Sequence, residues 1–149
     1  MLDNPYDSQS IEGTDVLNLD FNKLCNIPDD SMVLPVAVQN AITGEVILIA
    51  YTNKTAFDET VKKGKAVFWS TSRNKLWYKG EESGNTFTVK SIHVNCEQNS
   101  LVYKVTPDKG NICHTSINNV ANNCFYRKLN TETMKLEFQP AGDISPRKA

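Results

Sequence analysis

The chain has 149 residues, enough for one domain with a sizeable core, and its 40% hydrophobic and 22% charged content is that of an ordinary globular protein. A formal net charge of −1 gives no basic surplus for nucleic acid or an anionic membrane. No apolar run approaches the roughly 20 residues that a membrane helix needs.

The first residues, MLDNPYDSQSIEGTD, are polar, acidic and aperiodic. They read as a mobile tail, unlike a secretory signal. With no export signal, the four cysteines are expected to be reduced thiols or metal ligands in a cytoplasm of bacterial type. Val16, Leu17, Leu19 and Phe21 predict a short helix or strand packed on the core. Cys25, in the turn-like context LCNIPDD, reads as a structural cysteine.

Residues 34–39 (LPVAVQ) predict a strand, 40–44 (NAITG) a hairpin-type turn, and 45–50 (EVILIA) a second strand, apolar enough to be central. Asn53 is placed as an N-cap, and Gly64 stands where a C-cap glycine belongs, so the spacing predicts a helix over 54–63. Ala56, Phe57, Thr60 and Val61 share one of its faces. Residues 66–71 (AVFWST) predict a strand entering a polar turn, 76–79 a short aromatic strand, and 81–84 (EESG) a loop. Residues 87–94 and 100–106 follow as strands, with PDKG (107–110) as a turn. A last short strand is expected at 125–129, with Leu136 and Phe138 as possible anchors in the tail. The result is an α+β fold with one main helix and six or seven strands in a curved, mixed or mostly antiparallel sheet, pseudo-barrel or roll-like. One domain over 1–149 is expected, with a folded core at about 16–130 between flexible tails.

The chemistry concentrates between Asn95 and Tyr126. Cys96, Cys113 and Cys124 lie there, and His114 follows Cys113. Three protein ligands and one open position is the usual pattern of a catalytic zinc site, where water becomes nucleophilic near neutral pH. The spacings are long, sixteen and ten residues, with no CxxC pair. Spacing alone leaves a zinc site and ordinary buried or loop cysteines both open.

Several stretches together resemble phosphoribosyl-AMP cyclohydrolase, an enzyme family of histidine biosynthesis. They are LPVAVQNAITGEVILIAYTN (34–53), GKAVFWSTSRNKLWYKGEESGN (64–85), NC (95–96), ICHT (112–115) and CFYR (124–127). The resemblance implies hydrolytic opening of the purine of N1-phosphoribosyl-AMP at the N1–C6 bond. It also implies zinc held by Cys96, Cys113 and Cys124, and a homodimer whose zinc sites are shared between chains. His114 becomes the candidate general acid or base, with an orienting hydrogen bond as its other reading. The substrate carries two phosphates, which suits Ser70, Thr71, Ser72 and Arg73 at a strand-to-loop junction, and Lys79, Gly80, Ser83, Gly84 and Asn85 in the next loop. Trp69 or Trp77 could stack on the purine or belong to the core.

Three features depart from the family pattern. The family's Asp-Cys-Asp-x-Asp, which binds magnesium, is here Asn95, Cys96, Glu97, Gln98 and Asn99. A magnesium site at Asn95, Glu97 and Asn99 is therefore degenerate, and Mg²⁺ is doubtful as a cofactor beside Zn²⁺. SINNVANN lengthens the segment between Thr115 and Cys124. About twenty residues follow CFYR, so the pyrophosphohydrolase domain often fused behind this family is not expected here. The competing readings are a zinc hydrolase for another modified purine and an inactive zinc-stabilised binding protein.

Overall fold

The computed structural model describes residues 15–16, 33–109, 116–117, 120–121 and 123–139. Leu17, Leu19, Phe21, Cys25, Cys113 and His114 lie outside the described residues, as do most of both expected tails. The described elements are β1 (Leu34–Asn40), β2 (Val46–Thr52), α1 (Lys54–Lys63), β3 (Val67–Ser70), β4 (Lys75–Tyr78), β5 (Phe87–Val94) and β6 (Leu101–Pro107), then the short β7 (Ser116–Ile117) and β8 (Val120–Ala121), and finally β9 (Arg127–Asn130) and β10 (Lys135–Phe138). The class is α+β, with one helix among the described residues. That helix is too short to cross a membrane.

The main sheet has the order β2-β1-β6-β5. β1 is antiparallel to β2 and parallel to β6, and β5 is antiparallel to β6, so the sheet is mixed. β2 was expected to be central, but it is an edge strand of this sheet, and β1 and β6 hold the centre. Its apolar run misleads because a bulge opposite Val38 and Gln39 turns Ile47 and Leu48 both inward, while Val46 and Ile49 face outward. A second bulge lies at Lys90 in β5. The other pairs are hairpins: β3 with β4, β7 with β8, and β9 with β10. The chain stays folded through Phe138. Leu136 and Phe138 belong to β10, Phe138 stacks on Tyr126, and Val16 bridges to Lys135.

α1 begins and ends where its sequence dictates. Asn53 Oδ1 accepts from Ala56 N at 2.9 Å, and Gly64 closes the helix with φ +69°. Ala56 and Thr60 are buried and Phe57 packs against the core, but Val61 is 59% exposed, one position round from the buried stripe. Thr60 fastens the helix to β3. Its Oγ1 accepts from Val67 N at 3.0 Å and stands 2.9 Å from both Ala56 O and Val67 O.

The core lies between the inner face of the sheet, the helix and β3. Val36, Val38, Ile47, Phe68, Phe87, Tyr103 and Val105 are fully buried. Phe68 is its hub, 5.5 Å from the Trp77 ring and 6.0 Å from Tyr103. Each such side chain contributes about 1.5–3 kcal/mol of transfer free energy. Burial pushes the Tyr103 phenol above its ordinary range, outweighing the Thr52 and Thr60 hydroxyls beside it.

Candidate active site

The β3–β4 hairpin and the loop after it carry most of the predicted substrate residues. β3 ends with Trp69 and Ser70. Ser70 and Thr71 are buried, whereas Ser72 and Arg73 are exposed. Ser70 Oγ lies 3.3 Å from Ser72 Oγ and accepts from Arg73 N at 3.3 Å, so this hydroxyl shapes the turn that presents Arg73. Trp69 Nε1 is buried and lacks a hydrogen-bond partner among the described residues.

The loop over residues 79–86 turns on two glycines. Gly80 has φ +80° and Gly84 φ +79°, and Gly84 N donates to Gly80 O at 2.7 Å. A Cβ on Gly80 would sit 2.2 Å from the Asn85 carbonyl carbon, so the backbone is already packed where a side chain would go. Lys79 Nζ donates to Asn85 O at 3.3 Å and lies 4.7 Å from the Phe87 ring centroid. Ser83 Oγ accepts from Asn85 N at 3.2 Å.

These pieces enclose a groove of about 350 Å³ lined by Arg73, Lys75, Trp77, Lys79, Gly80 and Ser83, with Glu81 and Glu82 at its acidic side. It gathers four of the predicted residues: Arg73, Lys79, Gly80 and Ser83. Trp77 was read from the sequence as either a purine-stacking or a core residue, and Lys75 was not singled out. Their signal was alternation, since Lys75, Trp77 and Lys79 recur every second residue along β4 and its exit. Trp77 serves both roles, packing on Phe68 and lining the groove. Tyr78 has its pKa raised by desolvation, then by Glu59 and Glu81.

The thiol-bearing segments lie elsewhere. Cys96 is exposed in the loop between β5 and β6. Cys124 is exposed in a turn stitched to the edge of β2, where its N–H donates to Ile47 O at 2.8 Å. Asn123, a residue the sequence did not single out, holds that turn. It is 3% exposed, accepts from Phe125 N through Oδ1 at 3.0 Å, and donates from Nδ2 to Glu45 Oε2 at 3.0 Å. The signal was the Asn two residues before the bonded amide, an Asx-turn pattern.

Register separates the two thiols. Val94, Leu101, Val36 and Ala50 form one row across β5, β6, β1 and β2. Cys96 lies beyond Val94 at one end of that row. Cys124 meets β2 at Ile47, three residues from Ala50 at the other end. Three strand spacings and about five residues of rise, since Cys96 lies past Val94 in the sense opposite to Ile47, put the two segments on the order of 20 Å apart. Two ligands of one zinc, each about 2.3 Å from the metal, cannot stand so far apart. Exposed thiols are nonetheless soft donors that suit zinc, provided each is completed from elsewhere.

Magnesium fares differently. Among the described residues no three His, Cys, Asp or Glu side chains cluster as a metal site. At Asn95, Glu97 and Asn99 only Glu97 carries charge, and the amide oxygens of Asn95 and Asn99 already accept hydrogen bonds. A hard cation needing carboxylate or carbonyl oxygens does not fit this set.

Comparison with known proteins agrees with the residues that carry the resemblance. The family model for phosphoribosyl-AMP cyclohydrolase matches residues 48–126, more than half of the chain. The phosphoribosyl-AMP cyclohydrolase of Desulfotalea psychrophila is 38% identical over 111 residues, 74% of this chain and 84% of the relative. That of Cenarchaeum symbiosum is 48% identical over 97 residues, 65% and 85% of the two chains. That of Solibacter usitatus is 37% identical over 127 residues, 85% and 93%. With the groove, these matches define a hydrolase for a small nucleotide. The chain belongs to the phosphoribosyl-AMP cyclohydrolase family, whose members open a ring in histidine biosynthesis.

Proposed function

We propose that this enzyme acts in the cytoplasm on N1-phosphoribosyl-AMP itself, adding water at C6 of the purine and breaking the N1–C6 bond. The groove beside β4 carries the substrate reading. Arg73 offers a bidentate fork for a phosphate, and Lys75 and Lys79 add positive charge. Trp77, half-buried at the same wall, offers a face for the base.

Cys96, Cys113 and Cys124 are assigned as zinc ligands, and His114, next to Cys113 in the chain, as the general acid or base. Zinc, when bound, supplies activation of water near neutral pH. The separation of the Cys96 and Cys124 segments supports a ligand set drawn from two protomers, and hence a homodimer. An apolar groove of about 290 Å³ on the outer face of the sheet, walled by Ala37, Ile49, Val94 and Val102, is a surface suited to such a contact.

The test is zinc-loaded protein with N1-phosphoribosyl-AMP, followed by loss of the adenine chromophore. Cys96→Ser and Cys124→Ser are each expected to be inactive alone. Co-expressed, they form mixed dimers in which one of the two sites is intact, giving about a quarter of wild-type activity by random assortment. No recovery in isolated mixed dimers, or a fully active monomer, overturns the shared site. No turnover by the zinc-loaded wild type overturns the substrate.

A further inference from the structure

The loop between β5 and β6 is closed by amides where the family pattern has carboxylates. Asn95 Oδ1 accepts from two backbone amides, Asn99 N at 2.8 Å and Ser100 N at 3.0 Å. Asn95 Nδ2 donates to Asn99 Oδ1 at 2.7 Å, and Asn99 Nδ2 donates to Glu97 Oε2 at 3.2 Å. Backbone bonds complete the turn, from Asn95 N to Ser100 O and from Gln98 N to Asn95 O, with Gln98 at φ +56°. Both lone pairs of Asn95 Oδ1 are used, and N–H hydrogens point into the space between residues 95, 97 and 99. A cation at that place would have to displace the Nδ2 hydrogens of Asn95 and Asn99 from the acceptors Asn99 Oδ1 and Glu97 Oε2. Two aspartates there would face each other oxygen to oxygen and repel. The Asn95 amide instead places a hydrogen between the two side chains.

We propose that this amide clasp fixes the β5–β6 loop, and with it the direction of Cys96, without any divalent cation. Asn95 and Asn99 are then positioning residues. The role of Cys96 rests on the reading above, whereas the clasp itself does not.

Hydrogen–deuterium exchange of the peptide over residues 94–101 tests it, in full-length zinc-loaded protein with and without millimolar MgCl₂. Wild-type uptake is expected to be the same in both buffers. Asn95→Ala should exchange about tenfold faster in both, and should release zinc to a chelator about tenfold faster. The double variant Asn95→Asp, Asn99→Asp should exchange fast without magnesium and return toward wild type with it, recovering its zinc retention. Wild-type protection that appears only with magnesium overturns the proposal, as does unchanged exchange in Asn95→Ala or full protection of the double variant without magnesium. The peptide over 101–107 reports whether each variant is folded, and the wild-type comparison decides even if the variants are not. Because exchange is read without substrate, absent turnover would count against the reaction and leave the clasp standing.

Discussion

Replacing Thr60 with valine removes one oxygen and keeps the side-chain shape. In the native protein that oxygen accepts from Val67 N at 3.0 Å and donates its single proton toward Ala56 O or Val67 O, each 2.9 Å away. Thr60 is 1% exposed, so no water replaces it. The lost hydrogen bond costs about 1 kcal/mol net, and the orphaned Val67 N–H adds about 1–3 kcal/mol of unrecovered desolvation. A loss of about 2–4 kcal/mol is expected, or about 8–16 °C in Tm at roughly 4 °C per kcal/mol for a chain of this size. Thr60→Ser keeps the hydroxyl and loses one methyl, worth about 1 kcal/mol. Urea unfolding at constant m-value measures both. If Thr60→Val costs no more than Thr60→Ser, the hydroxyl is not what joins α1 to β3.

Asp108 gathers Lys65, Thr86 and Thr88, in that order of effect, and its pKa falls from 3.8 to about 2. The carboxylate is favoured when folded, so its contribution is complete above the unfolded value near 4 and lost as pH falls through about 2. Asp108→Asn should therefore cost about 1 kcal/mol near neutrality, discounted because the side chain is 29% exposed, and the deficit should vanish towards pH 2 in urea titrations. Gly80→Ala forces a Cβ into the Asn85 backbone at positive φ, so the 79–86 loop should rearrange, with KM rising at least tenfold while the main sheet keeps its circular dichroism. Arg73→Ala should lower kcat/KM by about ten- to a hundredfold through loss of a charge-assisted phosphate bond worth about 1.5–3 kcal/mol, with unfolding free energy unchanged because Arg73 is exposed.

Local chemistry was legible in the sequence, and long-range pairing was not. The helix could be bounded at Lys54–Lys63 because Asn53 and Gly64 are determined by nearest-neighbour sterics and hydrogen bonding. β5 was bounded as well, since Phe87 and Val89 alternate before the bulge at Lys90 and Ile92 packs inward after it, with the phase shifted by one residue. The edge position of β2 was hidden, because a bulge that turns adjacent residues inward looks like a strand buried on both faces. The β10 arm was read as a tail because its glutamate and lysine mask the contacts made by Leu136 and Phe138. Arg73, Lys79, Gly80 and Ser83, which are near one another in the chain, line one groove. The burial of Ser70 and Thr71 depends on a turn whose packing no local pattern encodes. The Asn95 clasp was invisible for another reason. Asparagine offers an acceptor and a donor, and only the fold decides which one faces inward.

The parallel pairing of β1 with β6 has a consequence for how the chain assembles. Sixty residues lie between Asn40 and Leu101, yet these two strands form the centre of the sheet. The β1–β2 hairpin, α1 and the β3–β4 hairpin can each form from neighbours in the chain, at microsecond rates. The sheet cannot close until β6 is available, and the entropy of that long closure is lost before its contacts form. During synthesis, everything up to β5 therefore waits with Val36 and Val38 unburied on one flank. A nascent chain stalled before Leu101 is expected to be bound by chaperones, and one released after Pro107 to be compact.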